Sequence, residues 1–276
     1  MGDSLAAGAI DVPNDKTGTW GTMRRIMATY GTINVSRGAD RAYYAKGSFT
    51  QRALLAAWCS HVINCYGNND LYIGIDGATV TASLTSNVLT VTAVASGTLA
   101  VGQTLNYLQG GVVASCTISS LGTGTGGTGT YNTSAASDFT SRSVVASTLR
   151  TSAQLVADQN TLNALLPSGK IIIMGTVTAR SSSNGADYTS LAAQTVYPFG
   201  NTERQTYNDA VRAGTTITLE RNYIDFADIY ENERNGNKWA IHGAAQALTG
   251  DGTHPNALGG QIGKRSGEWN PTYFER

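Results

Sequence analysis

The segment 62–70 reads VINCYGNND, which is the pattern of a short buried strand that ends in a polar turn. A second apolar run, Lys170 to Met174, contains three consecutive isoleucines. Continuous apolar runs of this length are typical of parallel strands that are covered on both faces. Because helical patterns lie between the two runs, the sequence predicts strands that alternate with helices.

The remaining segments extend this alternation in both directions. Apolar residues recur with helical spacing in three segments, which predicts helices at 22–30, 49–59 and 148–166. A fourth helix is expected at 203–212, before Gly214. Two further short apolar runs predict strands at 32–35 and 223–229. The pattern therefore predicts an α/β fold with a doubly wound parallel sheet.

The composition changes abruptly within this pattern. Residues 78–137 contain no charged side chain, and Thr, Ser, Gly, Val and Ala dominate. Segments 79–84 and 88–94 alternate with period two around Ser86-Asn87, which predicts a hairpin. We expect a small all-β domain at 78–140, inserted into a discontinuous domain formed by 1–77 and 141–276.

Charge and cysteine content exclude several classes of function. Lys and Arg together number 19, as do Asp and Glu, so no net field would attract nucleic acid or an anionic membrane. No apolar run approaches the ~18 residues that a membrane span requires. Three cysteines without metal-type spacing predict neither a disulfide framework nor a zinc site. We expect no metal, no cofactor and no nucleic-acid or membrane partner.

Four short motifs combine the groups that acyl transfer by a serine requires. They are Gly2-Asp3-Ser4-Leu5, Gly38, Gly67-Asn68-Asn69-Asp70 and Asp251-Gly252-Thr253-His254. Ser4 supplies a hydroxyl nucleophile, and the three-residue spacing lets Asp251 orient the His254 imidazole that takes its proton. The Ser4 and Gly38 backbone N–H groups and the Asn69 amide are candidate donors to the oxyanion.

In order and spacing, these motifs resemble the conserved blocks of the SGNH (GDSL) hydrolases, which are esterases, lipases and carbohydrate deacetylases. The resemblance implies a three-layer α/β/α doubly wound parallel sheet of the flavodoxin type. The resemblance covers about residues 2–77 and 140–265. It implies Ser4 as nucleophile, His254 as general base and acid, and Asp251 as the residue that orients the ring. It also implies an oxyanion hole formed by Ser4, Gly38 and Asn69.

The family's first strand has no counterpart before Gly2. Either the sheet lacks this strand, another segment replaces it, or the native chain extends further upstream.

A short-chain ester is the expected substrate, and an O-acetyl group on carbohydrate is the preferred interpretation. The uncharged surface predicted for the insertion, with Tyr107 and Tyr131, would suit a neutral glycan, and no long apolar lid segment is present. The insertion either helps to select the substrate or is an appendage. Substrate-binding residues remain unassigned.

Two other functions stay open at this point. One is a general short-chain esterase or lipase, and the other is a non-catalytic glycan-binding module of a viral tail. The sequence has no recognisable signal peptide, and an extracellular or virion-associated location is expected. If the protein is an esterase, activity should fall as acid protonates His254, because a protonated imidazole cannot accept the serine proton.

Overall fold

The computed structural model describes residues 41–48, 54–109, 112–134, 136–183, 188–197, 200–215, 222–242, 246–256 and 258–259. The chain divides into two compact units. The first contains the described residues up to Tyr72 and from Thr151 onward, and the second is Ile73–Arg150. The range 78–140, predicted as an inserted domain, lies inside the second unit, which begins earlier and ends later.

The helices and strands follow one another along the chain in this order: α1 (Ala42–Ser48), β1 (His61–Asn64), α2 (Asn68–Tyr72), β2 (Ile75–Thr85), β3 (Val88–Gly97), β4 (Thr104–Gln109), β5 (Val112–Leu121), β6 (Gly129–Thr133), β7 (Phe139–Thr148), α3 (Ser152–Ala164), β8 (Ile171–Gly175), β9 (Ser181–Ser183), β10 (Gln194–Val196), α4 (Asn201–Arg212), β11 (Asn222–Ile224), α5 (Phe226–Tyr230), β12 (Ile241–His242) and β13 (Gln246–Ala247).

The second unit is a closed antiparallel barrel of six strands in the order β2-β3-β6-β5-β4-β7. Period-two alternation creates its interior, because Ala78, Val80, Ala82 and Leu84 of β2 are buried while the intervening side chains point outward. The predicted turn, 86–87, joins β2 to β3, and both of its residues have positive φ. Two left-handed residues are what a tight hairpin connection requires.

The interior of the barrel contains the two tyrosines that were expected to contact a glycan. Tyr107 is 4% exposed and Tyr131 is fully buried. The Tyr131 hydroxyl accepts a hydrogen bond from the Gly126 N–H at 2.9 Å and donates one to the Gly127 carbonyl at 2.8 Å. The prediction that these rings form a glycan surface is therefore wrong. Tyr131 instead fixes the glycine-rich loop between β5 and β6.

Replacing Tyr131 by phenylalanine should loosen this loop. The Gly126 N–H and the Gly127 carbonyl lose their partner, and an unsatisfied buried polar group costs about 1–3 kcal/mol. We expect lower thermal stability of the barrel and faster hydrogen exchange at the Gly126 amide. Tyr107→Phe is the matched control. It removes a hydroxyl from another tyrosine of the barrel interior, and this hydroxyl does not bind the loop. Equal exchange at Gly126 in both variants would contradict the role given to Tyr131.

The first unit contains a parallel sheet in which β8 lies between β1 and β11. Ile172 and Met174 of β8 pack on one side, in the cluster that includes Leu155 and Tyr207 from the helices α3 and α4. Ile173 packs on the opposite side with residues of the cluster around α5. Strand β8 is therefore covered on both faces, which explains its three consecutive isoleucines.

The predicted three-layer α/β/α doubly wound parallel sheet is wrong as the fold class. The largest sheet is the closed antiparallel barrel, and the described residues contain more strand than helix. Only three strands pair in parallel within the described part of the chain. The error arose because the uncharged segment, expected to be a minor insertion, supplies most of the strand residues and closes on itself.

One local expectation also needs correction, and one helix was missed. The predicted strand 223–229 ends at Ile224, because the Asp225 carboxylate accepts the Asp228 N–H at 3.1 Å and begins helix α5. Helix α1 was not predicted at all. The expected helix 22–30, the strand 32–35 and the residues 49–53 of another expected helix lie outside the described residues.

Candidate functional site

The turn 249–254 is held by two side chains that bind its backbone. The Thr249 hydroxyl is buried, accepts the Gly252 N–H at 2.9 Å and donates to the His254 carbonyl at 2.7 Å. The Asp251 Oδ1 atom accepts the N–H groups of Thr253 at 2.9 Å and His254 at 2.8 Å. Short polar side chains often bind N–H groups two or three residues ahead in this way. The two interlocking sets of bonds fix the backbone on both sides of Asp251.

The second carboxylate oxygen of Asp251 binds the ring of His254. Oδ2 lies 2.7 Å from Nδ1. Burial raises the pKa of Asp251, but the hydrogen bonds from the His254 ring and backbone outweigh this effect and hold the pKa at about 2. The carboxylate is therefore ionised at neutral pH and can only accept, so the hydrogen atom lies on Nδ1. In a neutral imidazole this arrangement gives Nε2 the lone pair that can take a proton.

Gly252 lies at the tightest point of this turn. Its carbonyl accepts the Ser181 N–H at 2.9 Å and the Trp239 Nε1–H at 3.0 Å. Its φ is +74°, and a Cβ at this position would lie 1.9 Å from the Ser181 carbonyl oxygen. Trp239 is fully buried and its backbone is bound in turn by Gln194. The position therefore requires glycine, and its carbonyl ties the turn to the core.

The motif that contains Asn69 forms helix α2 directly after β1. Gly67 has a φ of +140°, and a Cβ there would lie 2.6 Å from Val177 and 3.0 Å from Leu155. Its carbonyl accepts the Leu71 N–H at 3.0 Å, which begins the helix. Asn69 is 5% exposed. Gly67 thus lets the chain turn sharply from the end of β1 into the helix that carries Asn69.

Asp70, the next residue, has a structural role that the sequence did not indicate. Its carboxylate accepts the N–H groups of Ala42 at 3.0 Å and Tyr43 at 3.4 Å, and so caps the beginning of α1. Burial raises the pKa of Asp70 to about 6, against the lowering effect of these two bonds.

This pKa predicts a pH dependence of stability. The folded protein binds the Asp70 proton more tightly than the unfolded chain does, so the stabilisation is complete below about pH 4 and is lost as pH rises through 6. Asp70→Asn keeps an acceptor oxygen but does not titrate. Between pH 4 and pH 7 we expect the wild type to lose about 2–3 kcal/mol of unfolding free energy relative to this variant, measured by urea unfolding.

The control for this comparison is Asp209→Asn, which removes an exposed carboxylate from α4. The difference in unfolding free energy between Asp209→Asn and the wild type should stay constant from pH 4 to pH 7. Parallel curves for the wild type and Asp70→Asn would contradict the assignment.

The structure brings together Asp251 and His254, and it places Asn69 in helix α2, which follows the parallel strand β1. Ser4 and Gly38 lie outside the described residues. Thr249 and Trp239 were not predicted as parts of the site. The position of Thr249, two residues before an aspartate in a turn, is a local signal for a capping hydroxyl. Trp239 is linked to the turn only through tertiary packing, and no sequence pattern reveals it.

Comparison with known proteins adds no assignment, since no protein-family model, curated protein or solved structure matches the chain. Among the described residues, no helix is long and apolar enough to cross a membrane. The described part of the chain also has no group of three or more His, Cys, Asp or Glu side chains that could hold a metal ion.

Proposed function

We propose that the protein is a serine esterase that removes short acyl groups, with Ser4 as nucleophile, His254 as general base and acid, and Asp251 as the orienting carboxylate. The observation that carries this proposal is the 2.7 Å contact between Asp251 Oδ2 and His254 Nδ1. The other oxygen of the same carboxylate holds the backbone of the turn. A carboxylate that fixes both the ring and the turn of one histidine is suited to an imidazole that must repeatedly take and return a proton.

In this mechanism the His254 Nε2 atom takes the Ser4 hydroxyl proton as the oxygen attacks the ester carbonyl. The proton then passes to the leaving alcohol, which departs and leaves an acyl-enzyme. Water repeats the sequence, gives its proton to Nε2, and releases the acid. The Ser4 and Gly38 N–H groups and the Asn69 amide stabilise the oxyanion in both steps. The ionised Asp251 carboxylate stabilises the imidazolium each time it forms.

Acetyl groups on carbohydrate are the proposed natural substrates. The resemblance of the four motifs to a family that includes carbohydrate deacetylases supports this choice, and the lack of a long apolar lid segment favours short acyl chains. Rates on 4-nitrophenyl acetate, butyrate and octanoate, together with acetate release from acetylated xylan, test it. Highest activity on the octanoate would contradict the acetyl preference.

A fluorophosphonate probe tests the serine mechanism directly, because it phosphonylates only an activated serine. We expect the wild type to be labelled and Ser4→Ala to remain unlabelled. The matched control is Ser60→Ala, a serine with an exposed position outside the proposed site, which should label like the wild type. If no protein in this series is labelled, the esterase proposal fails and the glycan-binding alternative gains support.

A further inference from the structure

Arg180 directly precedes strand β9, and its guanidinium lies beside two tyrosine rings. The guanidinium carbon is 4.7 Å from the centre of the Tyr197 ring and 6.0 Å from that of Tyr72. The two rings meet edge to face, with their centres 5.7 Å apart. Both distances are within the range at which a ring face attracts a cation. The rings therefore hold the charged group in a defined place.

The polar atoms of this guanidinium have no acceptor among the described residues. Its Nη1 atom is enclosed and has no hydrogen-bond partner. In the same unit Arg204, Arg212 and Arg234 each bind a carboxylate, whereas no described carboxylate forms an ion pair with Arg180. Proteins satisfy nearly all buried polar groups, so an orphaned donor requires an explanation. A ligand that brings its own acceptor provides one.

The backbone of Arg180 connects two described parts of the candidate site. Its N–H donates to the Tyr72 hydroxyl at 3.2 Å, and Tyr72 ends helix α2, which carries the oxyanion candidate. The next residue, Ser181, donates its N–H to the Gly252 carbonyl at 2.9 Å. Gly252 belongs to the turn that holds His254. The backbone at residues 180 and 181 is therefore hydrogen-bonded both to helix α2 and to the turn 249–254.

Hydrogen bonds around the two rings make this arrangement rigid. The Tyr72 hydroxyl donates to Asn201 Oδ1 at 2.9 Å, and the Asn201 amide donates to the Tyr197 carbonyl. The Tyr197 N–H donates to the Arg180 carbonyl at 3.2 Å, so the hydrogen bonds form a closed ring that begins and ends at Arg180. A charged group that is fixed before binding loses little conformational entropy when a ligand arrives.

We infer that Arg180 binds a carboxylate on the alcohol part of the ester, so that the substrates are acetyl esters of acidic carbohydrates. This inference rests on the proposed esterase function and narrows its substrate class. A planar guanidinium suits a carboxylate because two parallel N–H groups can meet both oxygens. The hydroxyl of a neutral sugar would use one donor and leave the charge unpaired.

Two acetyl esters of nearly equal shape test this inference. The first, 4-acetoxybenzoate, carries a carboxylate, whereas methyl 4-acetoxybenzoate is neutral, and both release acetate. KM and kcat are measured for the wild type, Arg180→Gln and Arg180→Lys. Arg234→Gln is the matched control, because it removes the same charge from a side chain that is 60% exposed.

Arg180→Gln should raise the KM for 4-acetoxybenzoate about 10–100-fold, as expected for the loss of a hydrogen bond between charged groups. Its KM for the methyl ester should stay nearly unchanged. Arg180→Lys keeps the charge but loses the paired donors, so its KM should lie between those of the wild type and Arg180→Gln. Arg234→Gln should match the wild type on both esters. An equal effect of Arg180→Gln on the two esters, or no effect on either, would overturn the inference.

Failure of the esterase proposal has a different signature, because the wild type would then hydrolyse neither ester. Binding of 4-hydroxybenzoate, followed by NMR chemical shifts of ¹⁵N-labelled protein, still tests Arg180 in that case. Weaker binding to Arg180→Gln than to Arg234→Gln would then support Arg180 as a carboxylate-binding residue but not the ester substrate, and equal binding would overturn both. If Arg180→Gln does not fold, Arg180→Lys takes its place in both measurements.

Discussion

Replacing Asp251 by asparagine is expected to lower kcat about 10⁴-fold without unfolding the turn. The asparagine carbonyl oxygen can still accept the Thr253 and His254 N–H groups that Oδ1 accepts in the wild type. Its NH₂ group, however, would face Nδ1 and donate to it. The neutral ring would then carry its hydrogen atom on Nε2, where it could not take the serine proton.

Two further variants separate this effect from loss of charge and loss of structure. Asp228→Asn removes a carboxylate from a partly exposed pair with Arg234 and should keep wild-type activity. Asp251→Ala removes the backbone bonds as well and should also lower stability, by about 0.5–2 kcal/mol. The ¹⁵N shifts of the His254 ring report the tautomer directly. Activity of Asp251→Asn within tenfold of the wild type would exclude Asp251 as the orienting group.

Replacing Gly252 by alanine is the second change with a large expected effect. A left-handed conformation costs an alanine roughly 1–2 kcal/mol, and the clash with the Ser181 carbonyl adds about 1–3 kcal/mol. The turn must shift, which breaks the bonds from Ser181 and Trp239 to the Gly252 carbonyl. We expect a lower free energy of unfolding and a loss of esterase activity that exceeds the fraction of protein unfolded.

The same turn provides a close control. A Cβ added at Gly250 would meet no atom within 4 Å, and the φ of this residue is not in the left-handed region. Gly250→Ala should therefore fold and react like the wild type. Urea unfolding and kcat/KM of the two variants measure the difference. If Gly250→Ala and Gly252→Ala have equal stability and equal kcat/KM, the hydrogen bonds from Ser181 and Trp239 to the Gly252 carbonyl do not position His254.

The elements that were correctly predicted have local signals. Strand β8 follows from its isoleucines, and the hairpin of β2 and β3 follows from the alternation around the turn 86–87. The contact between Asp251 and His254 also follows from a short spacing, because three residues bring the two side chains to one side of a turn.

The elements that were missed depend on residues far apart in the sequence. Helix α1 begins where Asp70, 28 positions from Ala42, caps it. Barrel closure depends on the pairing of β2 with β7, whose residues are separated by the four intervening strands. The hydrogen bond from Trp239 to the turn and the contacts of Arg180 with two tyrosine rings likewise depend on tertiary structure. No short window of sequence contains both members of any of these contacts.

The pairing of β2 with β7 also joins the entry and the exit of the barrel. Ile75 lies opposite Thr148 at the first and last rungs of these strands, and Gly74 lies against the Thr148 carbonyl. The two ends of the barrel segment are therefore adjacent. If the barrel were deleted, a short bridge would be enough to join the residues before Ile75 to those after Thr148. A deletion designed in this way would leave the sequence of the first unit unchanged on either side of the bridge.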